Sequence, residues 1–139
     1  YWLISTADDR IRTQSNVAFT KWKRIRRVPA LTIDLNKAKV QRVSVNGSDV
    51  EINYNNWFVS LPANVLKQGR NTVTVEFTRT HSTNGEGLHR MKDPVDGRVY
   101  LYSHFEPAAA QQMFALFDQP DLKATFTKLE FLNKGDFLL

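Results

Sequence analysis

The segment Asn71–Thr78 sets Val73, Val75 and Phe77 in strict alternation with Thr72, Thr74, Glu76 and Thr78. A period of two gives no single apolar face to a helix. It fits a strand with one side buried and the other wet, and β-branched residues favour that state. Ala30–Leu35 repeats the pattern through Leu31, Ile33 and Leu35. Val40–Val45, VQRVSV, runs into Asn46-Gly47. Asn-Gly is the strongest short hairpin signal, since both residues tolerate positive φ. Asp49–Tyr54 continues with Val50, Ile52 and Tyr54 alternating, and Trp57–Leu61 is a further apolar run closed by Pro62. Gly69-Arg70-Asn71 reads as a turn.

The second half is less regular. Thr80–Gly97 carries Gly85, Gly87, Pro94 and Gly97 and reads as a long loop. Tyr100–Phe105 reads as a strand. Pro107–Leu116 reads as a short helix, because Pro suits the first helical position and three alanines favour the state. Ala124–Leu132 reads as a final strand, and a short helix is expected from about Ala7. Strands separated by frequent turns predict a mostly β chain: an antiparallel β-sandwich or saddle-like β domain, with one short helix near 107–116. At 139 residues, a single domain over 1–139 is expected.

Composition narrows the function classes. Hydrophobic residues make up 42%, enough for a real core. The absence of cysteine excludes disulfides, thiolate zinc sites and cysteine nucleophiles. It fits a reducing compartment such as the cytoplasm and leaves periplasmic and secreted locations open. No apolar run approaches the roughly 18 residues that span a bilayer. A net charge of +5 is modest for a dedicated nucleic-acid binder. The basic run Lys21–Arg27, KWKRIRR, could neutralise and stack on a nucleic acid, but a cation-protected loop or edge strand explains it more simply. The chain opens on Tyr1 with no signal-peptide pattern after it, and is read as a fragment of a longer protein.

Few residues carry a chemical signal. His81, His89 and His104 form no HExxH pair, and none is four residues from another. A zinc site needs convergent ligands, which this spacing does not supply. Gly85-Glu86-Gly87 lacks the spacing and the Lys-Ser/Thr ending of a phosphate loop. Asn46-Gly47-Ser48 matches a glycosylation sequon, but the hairpin turn explains it. Asp118 and Asp121 flank Gln119-Pro120; paired carboxylates can do acid–base work, yet the proline favours a turn in which they bond nearby amides. Glu106 follows His104 by two at a strand end, so the two share a face if the strand continues. Its carboxylate could bind a cationic group such as a substrate amine, or cap the helix expected to start at Pro107.

The stretch Gly85–Phe126, GEGLHRMKDPVDGRVYLYSHFEPAAAQQMFALFDQPDLKATF, closely resembles the N-terminal domain of aminopeptidase N-like zinc metallopeptidases. GLHR, the DPVDG turn, the YLYS-x-FEP strand exit and FDQPDLKATF carry the likeness, and Ala7–Val17, ADDRIRTQSNV, is weakly similar to that family's opening. The resemblance implies a saddle-like β domain packed against a catalytic domain of the same polypeptide. That second domain carries the HExxH zinc site and a GAMEN-type loop, and neither motif occurs here. Zinc would therefore be bound outside this chain, which would not be catalytic alone. The family's glutamate, Glu106 here, contacts the free α-amine of the peptide substrate. With the likeness included, the amine-binding reading of Glu106 overtakes the capping one.

Three departures accompany the resemblance. The family often has Gln where His104 stands, lining the pocket for the first side chain. The passage from the SNV motif to ALTIDL is short, where the family has two or three more strands, so a shortened chain is expected between Val17 and Ala30. Lys128–Leu139 does not follow the usual continuation. The competing reading is a non-catalytic β-sandwich binding or interaction module.

Overall fold

The computed structural model describes residues 2–6, 10–21, 30–122, 125, 130–134 and 137–138. Among these residues, eleven strands are ordered as β1 Trp2–Thr6, β2 Arg10–Lys21, β3 Ala30–Asp34, β4 Lys39–Val45, β5 Ser48–Asp49, β6 Phe58–Pro62, β7 Gly69–Thr80, β8 Gly87–Lys92, β9 Val99–His104, β10 Glu130–Lys134 and β11 Phe137–Leu138. They form a six-stranded sheet, β10-β1-β2-β7-β4-β5, a three-stranded sheet, β11-β9-β8, and a two-stranded ladder, β3-β6. The pairings are antiparallel except β1 with β10 and β11 with β9. The mostly β architecture agrees with the alternation in the sequence.

The long strand β7 organises the core. Val73, Val75 and Phe77 are fully buried, as their alternation predicts. Across the ladder with β2 they face Val17, Ser15 and Thr13, which are buried too. Val43 and Val45 of β4 join them from the other side. Ile33, Val59 and Leu61 of the β3-β6 ladder complete one apolar cluster with the large sheet. The two sheets thus share one interior, and each fully buried aliphatic side chain contributes on the order of 1.5–3 kcal/mol.

Several local expectations resolve differently. The hairpin at Asn46-Gly47 forms as predicted, with φ of 52° and 88°. The strand expected over Asp49–Tyr54 ends after Asp49; Tyr54 makes only a single bridge, to Val59. Its phenol is drawn to Leu35 and Ala38 instead, donating to the Leu35 carbonyl at 3.0 Å and accepting from the Ala38 amide at 2.9 Å. The helix expected from about Ala7 is not formed over Arg10–Asn16, which belong to β2, because pairing along all of β7 satisfies twelve residues of backbone. Residues 7–9 and 22–29 lie outside the described residues, and with them most of the basic run and the expected shortening. The loop expected over Thr80–Gly97 contains β8, which pairs with β9 along its length and buries Leu88 on one face and His89 on the other.

The helix expected near 107–116 is a single 3₁₀ turn, Ala110–Gln112. The carbonyls that an α-helix would use are spent on tertiary partners. Gln111 O accepts from the Asn36 amide at 2.8 Å, and Gln112 O accepts from Arg79 Nη1. Met113 and Phe114 are buried against Leu88 and Leu101 in a second, smaller cluster. Packing overrides the helix propensity of the alanines.

Candidate functional site

The exit of β9 is where the sequence concentrates its chemistry. β8 holds β9 in register, with Gly87 opposite His104 and Leu88 opposite Ser103. Beyond the strand end, half-buried Phe105 packs on Phe114 with ring centroids 5.9 Å apart. This leaves His104 and Glu106 solvent-exposed on either side of Phe105. The Glu106–Pro107 peptide bond is cis. The Glu106 carboxylate has no hydrogen bond or ion pair among the described residues. The 3₁₀ turn Ala110–Gln112 has Ala109 at its N-cap with no side-chain cap bond, so Glu106 caps no helix.

The backbone that follows Glu106 is tied to the core at successive positions. The Ala109 amide donates to the Phe105 carbonyl at 2.9 Å. The Gln111 amide donates to Asp118 Oδ2 at 3.0 Å, and the Asp118 amide to Asp34 Oδ2 at 3.0 Å. The Ala115 amide donates to Ser15 Oγ at 3.0 Å. Asp118 therefore does local structural work, bonding a backbone amide as its turn context suggested; Asp121 stands exposed. A carboxylate carried on so constrained a segment loses little conformational entropy when it meets a cation.

The side of this segment nearest β8 is equally constrained. Gln112 Nε2 donates to Glu86 Oε2 at 2.7 Å. Gly87 has φ +66°, and a Cβ there would lie 2.8 Å from Gln112 Cβ. Only glycine permits this approach. The DPVDG turn is closed by its own aspartates: Asp93 Oδ1 accepts from the Val95 amide at 2.7 Å, and Asp96 Oδ1 from the Arg98 amide at 2.8 Å. Tyr100 donates to Asp96 Oδ2 at 2.9 Å, which raises its pKa above the ordinary phenol value.

The three histidines do not converge. His81 and His89 are buried, and His89 Nδ1 accepts from the Gly85 amide at 2.9 Å while its ring lies on Tyr102 at 4.6 Å. Among the described residues no group of three or more His, Cys, Asp or Glu side chains could hold a metal ion. Zinc does not fit these residues. Among the described residues no helix is long and apolar enough to cross a membrane.

Arg79 was not singled out by motif, but it had a signal. It continues the inward phase of Val73, Val75 and Phe77, two residues past the last of them. A cation in that phase must find partners or a cavity. Its Nη1 donates to the Gln112 carbonyl, and burial lowers its pKa. It thus links β7 to the turn that follows Glu106.

Comparison with known proteins fits this arrangement. Residues 6–131 match the peptidase M1 N-terminal domain family. Aminopeptidase N of Streptomyces lividans is 44% identical over 96 residues, covering 68% of this chain and 11% of that protein. A probable M1 family aminopeptidase 1 of Encephalitozoon cuniculi (strain GB-M1) is 43% identical over 61 residues, 44% of this chain and 7% of that protein. The chain therefore spans about a tenth of the relatives it matches. Native leukotriene A4 hydrolase from Saccharomyces cerevisiae superposes with a TM-score of 0.72 over 95% of this chain and 22% of the hydrolase, at 19% identity, a likeness of fold.

Proposed function

Because the chain belongs to the peptidase M1 N-terminal domain family, we propose that it is the substrate-anchoring domain of a zinc aminopeptidase, in which Glu106 binds the free α-amine of a peptide. His104 borders the position of the first substrate side chain. The catalytic domain of the same polypeptide packs beside this one, and zinc is held there; the 1–139 domain is not catalytic alone.

The observation that supports this reading is the state of Glu106. Its carboxylate is exposed and unpaired among the described residues, while its neighbours are held by the Phe105–Phe114 contact and by the Ala109 and Gln111 amide bonds. An unpaired anion on a rigid support suits a charge-assisted bond to an ammonium group. The family names of the relatives in Streptomyces and Encephalitozoon are aminopeptidases, which act where a free amine is present. An anchor for the amine would align the first peptide bond and reject blocked peptides.

The test is Glu106→Gln in the full-length enzyme, which keeps shape and removes charge. We expect kcat/KM on an unblocked peptide to fall about tenfold or more, the scale of one lost charged contact. Unchanged kinetics would remove Glu106 from the site.

A further inference from the structure

A separate cleft lies at the end of β7. Lys37, Lys39, Asn56, Trp57 and Arg79 line a hollow of about 620 Å³, together with threonines of β7. No aspartate or glutamate lines it among the described residues. The hollow is open to solvent, so a ligand held there would keep part of its surface exposed.

Three features set this cleft apart from a merely basic surface. Arg79 is half-buried, and its Nη1 and Nε are held by the carbonyls of Gln112 and Thr80. Those carbonyls fix the guanidinium plane without neutralising it. No carboxylate pairs with it among the described residues, and burial opposes its charge. An anion arriving beside it would relieve that cost. Second, the rim is rigid: the Lys37 amide donates to the Asn56 carbonyl at 2.9 Å, with φ of 48° and 73° at the two residues. A lysine at positive φ is strained and persists only where its surroundings demand it. Third, Trp57 is 59% exposed although its backbone is anchored to Asn55 and Leu35. A large ring left in water beside cations offers a stacking surface.

We propose that this cleft binds a phosphorylated planar-ring ligand of the nucleoside diphosphate class. The phosphates would meet Arg79, Lys37 and Lys39, and the base would lie on Trp57. Arginine and lysine supply the two halves of phosphate recognition, a planar fork and mobile point charges. The contacts proposed for the ligand do not include the Glu106 carboxylate, although Arg79 also bonds the turn that follows Glu106.

The experiment is calorimetric titration of the full-length protein with ADP, inorganic pyrophosphate and adenosine. ADP is expected to saturate one site, with pyrophosphate and adenosine each about tenfold weaker or more, since each lacks one half of the recognition. Trp57→Ala should weaken ADP about tenfold and leave pyrophosphate unchanged, by loss of one stacked base. Lys37→Met with Lys39→Met should weaken both phosphate ligands. These lysines are exposed, so the fold survives and the result stands if Arg79→Met fails to fold. Glu106→Gln should bind ADP as the parent does. Absence of saturable ADP binding at millimolar concentration would overturn the proposal, as would unchanged ADP affinity in the double lysine variant. Equal affinity for pyrophosphate and ADP would reduce the site to an inorganic anion site and remove the ring from it.

Discussion

Asp34 and Leu116 exchange two backbone hydrogen bonds, Asp34 N–H to Leu116 O at 2.8 Å and Leu116 N–H to Asp34 O at 3.1 Å. The pair forms an isolated antiparallel bridge between the end of β3 and the chain that leaves the 3₁₀ turn. Asp34 also uses its side chain, accepting from the Asp118 amide. One residue of the first half therefore fixes both the backbone and the turn on which the candidate site depends.

Asp34→Ala removes the acceptor for the Asp118 amide and leaves the bridge. The cost is expected to be about 1–2 kcal/mol, a drop of several degrees in Tm for a domain of this size. Thermal unfolding followed by circular dichroism measures it. A Tm equal to the parent's would show that the turn does not need this bond.

Phe77 is fully buried at the centre of the main cluster. Phe77→Ala is expected to lose about 3–5 kcal/mol through transfer and cavity terms. Urea titration reads the loss directly. Glu106→Gln, by contrast, changes an exposed and unpaired group, and should leave the urea midpoint within error of the parent. A large loss at Glu106 would mean that its carboxylate is structural.

Asn71 is a buried hub. Its Oδ1 accepts from the Lys67 amide at 2.9 Å and from Asn46 Nδ2 at 3.1 Å, and its Nδ2 donates to the Lys67 and Gly69 carbonyls at 2.8 and 2.9 Å. Asn71→Leu keeps the volume and strands these groups, with an expected cost of about 2–4 kcal/mol. Hydrogen exchange should speed up first at the Lys67 amide. Unaltered protection there would contradict the role.

Gly87→Ala adds a methyl 2.8 Å from Gln112 Cβ at φ +66°. Gly97→Ala, at φ +72°, meets open space. Both pay the backbone cost of positive φ, about 1 kcal/mol, but only the first must also push the turn after Glu106. Gly87→Ala should therefore be the more destabilising and should shift NMR resonances of Ala109–Gln112. Equal stability of the two variants would place the turn out of reach of β8.

Burial raises the Tyr54 phenol above its ordinary pKa, outweighing the Ala38 amide bond that lowers it. A proton held more tightly in the folded state gives stability that is full below the unfolded value and lost as pH rises through the folded one. Alkaline unfolding should therefore steepen above about pH 10. Tyr54→Phe should flatten that limb and cost about 1 kcal/mol at neutral pH, since Leu35 O and Ala38 N lose their partner. An unchanged alkaline limb would remove Tyr54 as its source.

The alternation of Val73, Val75 and Phe77 was enough to predict β7 and its buried face, and Asn46-Gly47 was enough for the hairpin. Both signals are local: side-chain period and turn chemistry act within a few residues. The region after Glu106 read less well. Pro107 and three alanines argued for a helix, but Asn36, Arg79 and Asp118 claim the backbone groups that such a helix would use. Asn36 and Arg79 are distant in sequence, and Asp118 lies just past the expected helix end. Arg79 stood in the apolar phase of its strand, and that displacement was the one local trace of its link to Gln112.

By itself, the sequence determined a mostly β chain, the inward face of β7, the position of Glu106 at a strand exit and membership of a peptidase family's N-terminal domain, because these rest on local periods and an ordered run of motifs. The tertiary structure decided the rest: that the alanine segment tightens to one 3₁₀ turn, that Glu106 stands free of any cap, and that Lys37, Trp57 and Arg79 border one cleft. The turn and the cleft are meetings of distant residues, where burial and hydrogen-bond satisfaction outweigh the preferences of the segment alone.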